Sequence, residues 1–162
     1  MATDGTRDRD PVGRARNARP RDALGRPLPR GAEGEPVLPD EITVTPAWAI
    51  ATAQDMFDHG RPFHAHEVLE AAWKAADAAD RDLWQGLAQL AVGLTHALRG
   101  NARGAVTLLR RGAQRMTPAA GTTPHGIDVD GVLAQAAGLA DEIEQHGLAA
   151  VPPGRLRIDL RR

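Results

Sequence analysis

Five leucines limit what this chain can fold into. Leu83, Leu87, Leu90, Leu94 and Leu98 recur at helical spacing, and at 3.6 residues per turn they fall within an arc of about 80°, so a helix over 81–98 must bury that arc. On the other side Gln85, Gln89, Val92 and His96 form a second stripe about 60° wide. Gly86 and Gly93 lie between the two stripes, and no charged residue occurs between Trp84 and Leu98. Such a helix is not a surface helix, and both stripes are expected to be buried. Glycine inside a helix costs about 1 kcal/mol relative to alanine, so two of them seven residues apart predict unusually close approach by a neighbouring helix.

The rest of the chain reads as companions for that helix. Thr45 as N-cap and Pro46 at the first helical position open a helix running to about Asp58, with Trp48, Ala49, Ala53, Met56 and Phe57 inward. His59-Gly60-Arg61-Pro62 ends it, and a second helix follows over about 62–78, with Asp80 free to cap the third. Gly100 and Asn101 make a short turn into a fourth helix over about 102–116, antiparallel to the third, with Val106, Leu109 and Met116 inward. After a Pro- and Gly-bearing loop, Asp128 or Asp130 caps a fifth helix to about His146, with Val132, Ala136, Leu139 and Ile143 inward. Aromatics are few and tyrosine is absent, so the core must be built from Ala, Leu and Val, which suits closely packed helices.

The expected fold class is therefore all-α, a compact antiparallel bundle of about five helices. Residues 1–45 form an Arg/Pro/Gly-rich arm, disordered or ordered only by lying on the domain, because it has too little apolar surface to offset its ordering entropy. Residues 46–147 form the helical domain, and 148–162 an extended tail in which Leu156-Arg157-Ile158-Asp159-Leu160 alternates and is expected to lie across the bundle. Net charge is −1, so the overall field gives no pull toward nucleic acid or membrane. There is no cysteine, which excludes disulfides, thiolate metal sites and cysteine nucleophiles. No apolar run approaches the ~20 residues that span a bilayer, and the expected location is cytoplasmic.

Chemistry concentrates in Phe63-His64-Ala65-His66-Glu67-Val68-Leu69-Glu70-Ala71-Ala72-Trp73. His66, Glu70 and Trp73 share an arc of about 60° beside an apolar stripe of Val68, Leu69 and Ala72. A carboxylate and an imidazole there need partners, because desolvating either one unpaired costs about 2–7 kcal/mol. The plainest reading is a hydrogen-bonded seam of His66, Glu67, Glu70, Trp73, Gln85, Gln89 and His96 between the second and third helices. His66-Glu67-x-x-Glu70 also differs by one residue type from the zinc-protease helix, in which two His at i and i+4 bind the metal and the Glu between them is the base. A metal reading takes His66, Glu70 and His96 as ligands of a divalent ion, with His64 or Gln85 completing the set, Zn, Mn or Fe favoured by the N/O donors and Glu67 as base. A metal-free acid/base pair would use Glu67 and Glu70.

Two weaker sites follow from arginine. Arg99, Asn101 and Arg103, with Arg110 and Arg111, could hold an anion at a helix N-terminus; a solvated face is the plainer reading. Arg14, Arg16, Arg19, Arg21, Arg26 and Arg30 of the arm would suit phosphate contacts, where composition favours a solvated tail. Trp73 and Trp84 could cover a ligand or simply be core, their Nε1–H groups needing acceptors such as Glu70 or Gln85. No phosphate loop, nucleophile elbow or Ser/His/Asp triad is recognisable.

Three motifs occur in order: Phe63-x-x-His66-Glu67-x-x-Glu70-x-x-Trp73, then Trp84-Gln85-Gly86-Leu87-x-Gln89-Leu90-Ala91, then His96-Ala97-x-Arg99-Gly100-Asn101-x-x-Gly104-Ala105. Over about 47–116 this pattern resembles the bacterial DUF309 family, small helical proteins of unknown function. The resemblance implies an all-α bundle and places His66, Glu67, Glu70, Trp73, Gln85, Gly86, Gln89, His96, Gly100 and Asn101 on motif positions, His64 not being one of them. It supplies no activity, cofactor or substrate. The leading expectation is a non-enzymatic binding or interaction protein whose seam fixes helix register or holds a small polar ligand or protein partner. The alternatives are a metal-dependent hydrolase-like enzyme and nucleic-acid association through the arm.

Overall fold

The structure is a computed structural model, which describes residues 20–29, 31–34, 38 and 42–161. Among them lie α1 (Pro46–Asp58), α2 (Pro62–Ala75), α3 (Arg81–Leu98), α4 (Ala102–Met116) and α5 (Val129–His146), with four single-turn 3-10 segments and no strand. The start of α1 follows from its sequence: the Thr45 hydroxyl accepts the Trp48 N–H at 3.2 Å, and Pro46 takes a position whose N–H would be unpaired anyway. Asn101 and Asp128 do the same for α4 and α5, each accepting an amide three residues on, from Gly104 and Gly131. Ile50 joins the core of α1, while Trp48 and Met56 are only half-buried.

The second helix is shorter than expected, ending at Ala75 rather than near residue 78. Ala76 leaves the helix in extended geometry, and the Asp77 carboxylate accepts the Asp80 N–H at 3.2 Å. Aspartate bonding to nearby backbone offers the chain an alternative to helix, and here the alternative wins. Asp80 stands at the N-cap of α3 but makes no capping bond; its carboxylate goes elsewhere, as described below.

Consecutive helices pack on one another: α1 on α2, α2 on α3, α3 on α4 and α4 on α5. The leucine arc of α3 is core, with Leu83, Leu87, Leu90 and Leu94 buried and Leu98 packed at its edge. The neighbour admitted by the α3 glycines is α4. A Cβ added at Gly86 would stand 2.4 Å from Met116 Cγ and 2.9 Å from the Gly112 carbonyl oxygen, and one at Gly112 would stand 2.7 Å from the Gly86 carbonyl oxygen. Two backbones therefore meet with nothing between them. Gly93 is nearly as tight against Leu109 and Ala105. Because α4 takes this flank of α3, α2 must lie on the other, and that decides where the glutamine stripe points.

After Gly147 the chain makes two 3-10 turns, Leu148–Ala150 and Pro153–Arg155, and then runs extended. Leu156, Ile158 and Leu160 are buried while Arg157 and Asp159 are exposed, which is the alternation written in the sequence. Two glutamine side chains hold this run. Gln54 of α1 accepts the Leu160 N–H at 2.8 Å and donates to the Ile158 carbonyl at 3.1 Å; Gln135 of α5 accepts the Asp159 N–H at 2.8 Å and donates to its carbonyl at 2.9 Å. Among the described residues no helix is long and apolar enough to cross a membrane.

Candidate functional site

Along one face of α2 runs a charged ladder. His66 Nε2 lies 3.6 Å from Glu70 Oε2, and Lys74 Nζ lies 3.1 Å from Glu70 Oε1, the i,i+4 spacing that puts side chains on neighbouring turns. His66, Glu67 and Glu70 are all half-buried. The Phe63 ring sits one turn before, 5.9 Å from the His66 ring and 5.9 Å from that of His64. Burial pushes the His66 imidazole below its ordinary range, the nearby Glu70 charge only partly resisting. Burial also raises the Glu67 carboxyl, with the Arg21 charge opposing. His66 Nδ1 is enclosed and has no hydrogen-bond partner among the described residues, a state that native interiors rarely leave uncorrected. The Glu70 carboxylate favours the tautomer that carries the ring proton on Nε2, and in that tautomer Nδ1 is an acceptor.

What covers this face comes from the N-terminal arm. Residues 20–29 form a tight hairpin, bridged between Arg21 and Pro27. Asp22 organises it: its carboxylate accepts the Leu24 and Arg26 amides at 3.0 and 2.8 Å, its carbonyl accepts the Gly25 N–H, and its own N–H donates to the Arg26 carbonyl. Gly25, at φ 74°, lies flat on Phe63, so that an added Cβ would stand 2.1 Å from the ring. The Arg21 guanidinium lies over the same ring, 5.6 Å from its centroid, within cation–π range. From the far end of α3, Arg99 donates through Nε and Nη2 to the Leu24 carbonyl at 2.9 and 2.5 Å.

Two members of the expected seam pair with α4 and its cap instead of with α2. Gln89 faces α4, where its Oε1 accepts from Arg115 Nε at 3.4 Å, and His96 Nδ1 pairs with the Asn101 amide nitrogen at 3.1 Å. Both sit on the α4 flank of α3, because α4 docks against the adjacent glycine edge. His66, Glu67 and Glu70 belong to α2 alone, and Gln85 is half-buried on the stripe shared with Gln89. Trp73 is half-buried at the other end of α2, with Arg81 5.9 Å from its ring centroid. The metal set of His66, Glu70 and His96 is corrected by the same geometry, and among the described residues no three His, Asp or Glu side chains converge on a common point.

Part of the expected anion site is engaged within the chain. Asn101 caps α4 with its oxygen and reaches His96 with its nitrogen, Arg99 is committed to Leu24, and Arg110 pairs with Asp141 and Glu144 of α5. Arg103 and Arg111 are exposed. Of the arm arginines, Arg21 donates to the Gly25 carbonyl at 2.6 Å and Arg26 to Asp22 at 2.7 Å; Arg14, Arg16, Arg19 and Arg30 lie outside the described residues.

One pair escaped the sequence reading entirely. His125 Nε2 meets Asp80 Oδ2 at 2.6 Å and its ring stacks 5.9 Å from buried Trp84, at the edge of a cavity of about 210 Å³ that Asp77 and Ala76 also line. To get there His125 takes φ 54°, the only positive φ outside glycine among the described residues, and Asp80 gives up its cap. Nothing in Pro124-His125-Gly126 signalled a partner 45 positions back. Among known proteins, residues 50–108 match a family model described as a domain of unknown function (DUF309). No curated protein and no solved structure matches the chain.

Proposed function

We propose that this chain, whose residues 50–108 match the model of a domain of unknown function (DUF309), is a binding protein whose recognition surface is the His66, Glu67 and Glu70 face of α2. The group it receives is a hydrogen-bond donor carrying positive charge, a guanidinium or an ammonium. The observation that carries this reading is His66 Nδ1, buried without a hydrogen-bond partner among the described residues and beside two carboxylates. A donor delivered there would satisfy a group whose isolation costs about 1–3 kcal/mol, and the acids would balance its charge. The chain's own choice points the same way, since the side chain it supplies to this face is Arg21.

Argininamide serves as the probe. Added to the full-length protein while long-range imidazole ¹H–¹⁵N spectra are recorded, it is expected to shift the His66 resonances and leave those of His125 and His146 in place. His66 resonances unmoved at tens of millimolar argininamide, roughly the weak limit for one charged contact, would remove the reading. Replacing Glu67 and Glu70 with glutamine is expected to abolish the shift.

A further inference from the structure

We propose that the 20–29 hairpin is an internal strap, competing for the α2 face with an arginine-bearing turn of a partner protein. This rests on the reading of that face as a recognition surface and adds how it is regulated. Three things the hairpin gives the domain are things any tight peptide turn can give: a glycine flat on Phe63, a carbonyl for Arg99 and a guanidinium over Phe63 beside Glu67. None is particular to its covalent attachment.

The hairpin is also built to leave whole. Its own hydrogen bonds close within it, through Asp22 and the Leu28 N–H on the Pro20 carbonyl at 2.8 Å. The buried apolar core of the described residues begins at Ala49 and includes no hairpin side chain, so lifting the strap exposes Phe63 and the polar face without opening the helices. What it cannot do is leave the face empty at no cost. Withdrawing Arg21 strips a half-buried Glu67 of the positive charge that compensates it, so a replacement that brings a guanidinium is selected over a neutral one. Arg99 then offers the same two donors to the incoming carbonyl oxygen.

The test uses the full chain and a fluorescent peptide of the hairpin's own sequence, Pro20 to Pro29, added in trans. Two substitutions loosen the strap without touching the surface beneath. Gly25→Ala drives a Cβ into the Phe63 ring, and Asp22→Ala removes the carboxylate that holds the turn; the circular dichroism of each variant checks that the helices are intact. If the strap is closed about nine-tenths of the time, both variants should bind the peptide about tenfold more tightly than the parent chain. Equal affinity for the parent and both variants would overturn the strap and leave the surface standing. Absence of binding to all three would overturn the surface, and the strap with it. A peptide carrying Arg21→Gln that binds as tightly as the original would overturn the arginine requirement.

Discussion

At His66 and Glu67 the protein holds an imidazole and a carboxyl half-buried on adjacent positions of one helix, and the two respond to pH in opposite senses. Native His66 gives up its proton more readily than its ordinary 6.5, so the unfolded chain binds more protons in the window just below that value. Stability from this residue is complete above the window and falls as pH drops through it. Native Glu67 holds its proton above its ordinary 4.5. Its contribution is complete below 4.5 and is lost as pH rises through the raised native value. Glu67→Gln is therefore expected to raise the thermal midpoint at pH 7.5, with the gain vanishing near pH 4; a gain that persists at pH 4 would assign it to something other than the carboxyl's charge. The His66–Glu70 ladder could be seen in the sequence because i,i+4 spacing is a property of one helix. The positions of Gln89 and His96 could not, because they depend on which flank of α3 another helix occupies.

Elements are where the glycines diverge. Gly86 and Gly112 sit where two backbones touch. Alanine at either must push α3 and α4 apart, and overpacking of this kind costs about 1–3 kcal/mol, outweighing the roughly 1 kcal/mol gained in helix propensity. Gly138, inside α5 and exposed, would meet nothing within 4 Å. Gly138→Ala should therefore stabilise by about 0.5–1 kcal/mol, and chemical denaturation of the three variants separates the cases by sign. The close approach at Gly86 was legible because glycine has no other reason to recur inside so apolar a helix. The end of α2 was not, since Asp77 could equally have been read as an ordinary exposed helical residue. Asp80 misled for a related reason: sequence shows an aspartate before a helix and says nothing of a histidine that will claim it. Asp80→Asn should cost no more than about 1 kcal/mol, as the pair is partly exposed, but it should change Trp84 emission by releasing the stacked His125 ring.

Across the whole molecule the helices stand in chain order, each packed on the next, so most of the fold is held by neighbours in sequence. That is why the all-α bundle could be read from periodicity and capping alone. A long-range connection that periodicity does not reach is the one that Gln54 makes to Ile158 and Leu160, across 104 and 106 positions. Closing so long a loop is entropically the slowest kind of contact to form. The chain is thus expected to assemble by successive docking of adjacent helices and to seat the tail on α1 after the rate-limiting barrier. Contacts made after that barrier govern the rate of escape from the native state and leave the rate of arrival alone. Gln54→Ala should steepen nothing on the refolding limb of a chevron while lifting the unfolding limb severalfold, making two amide hydrogen bonds the clasp that sets how long the native protein persists.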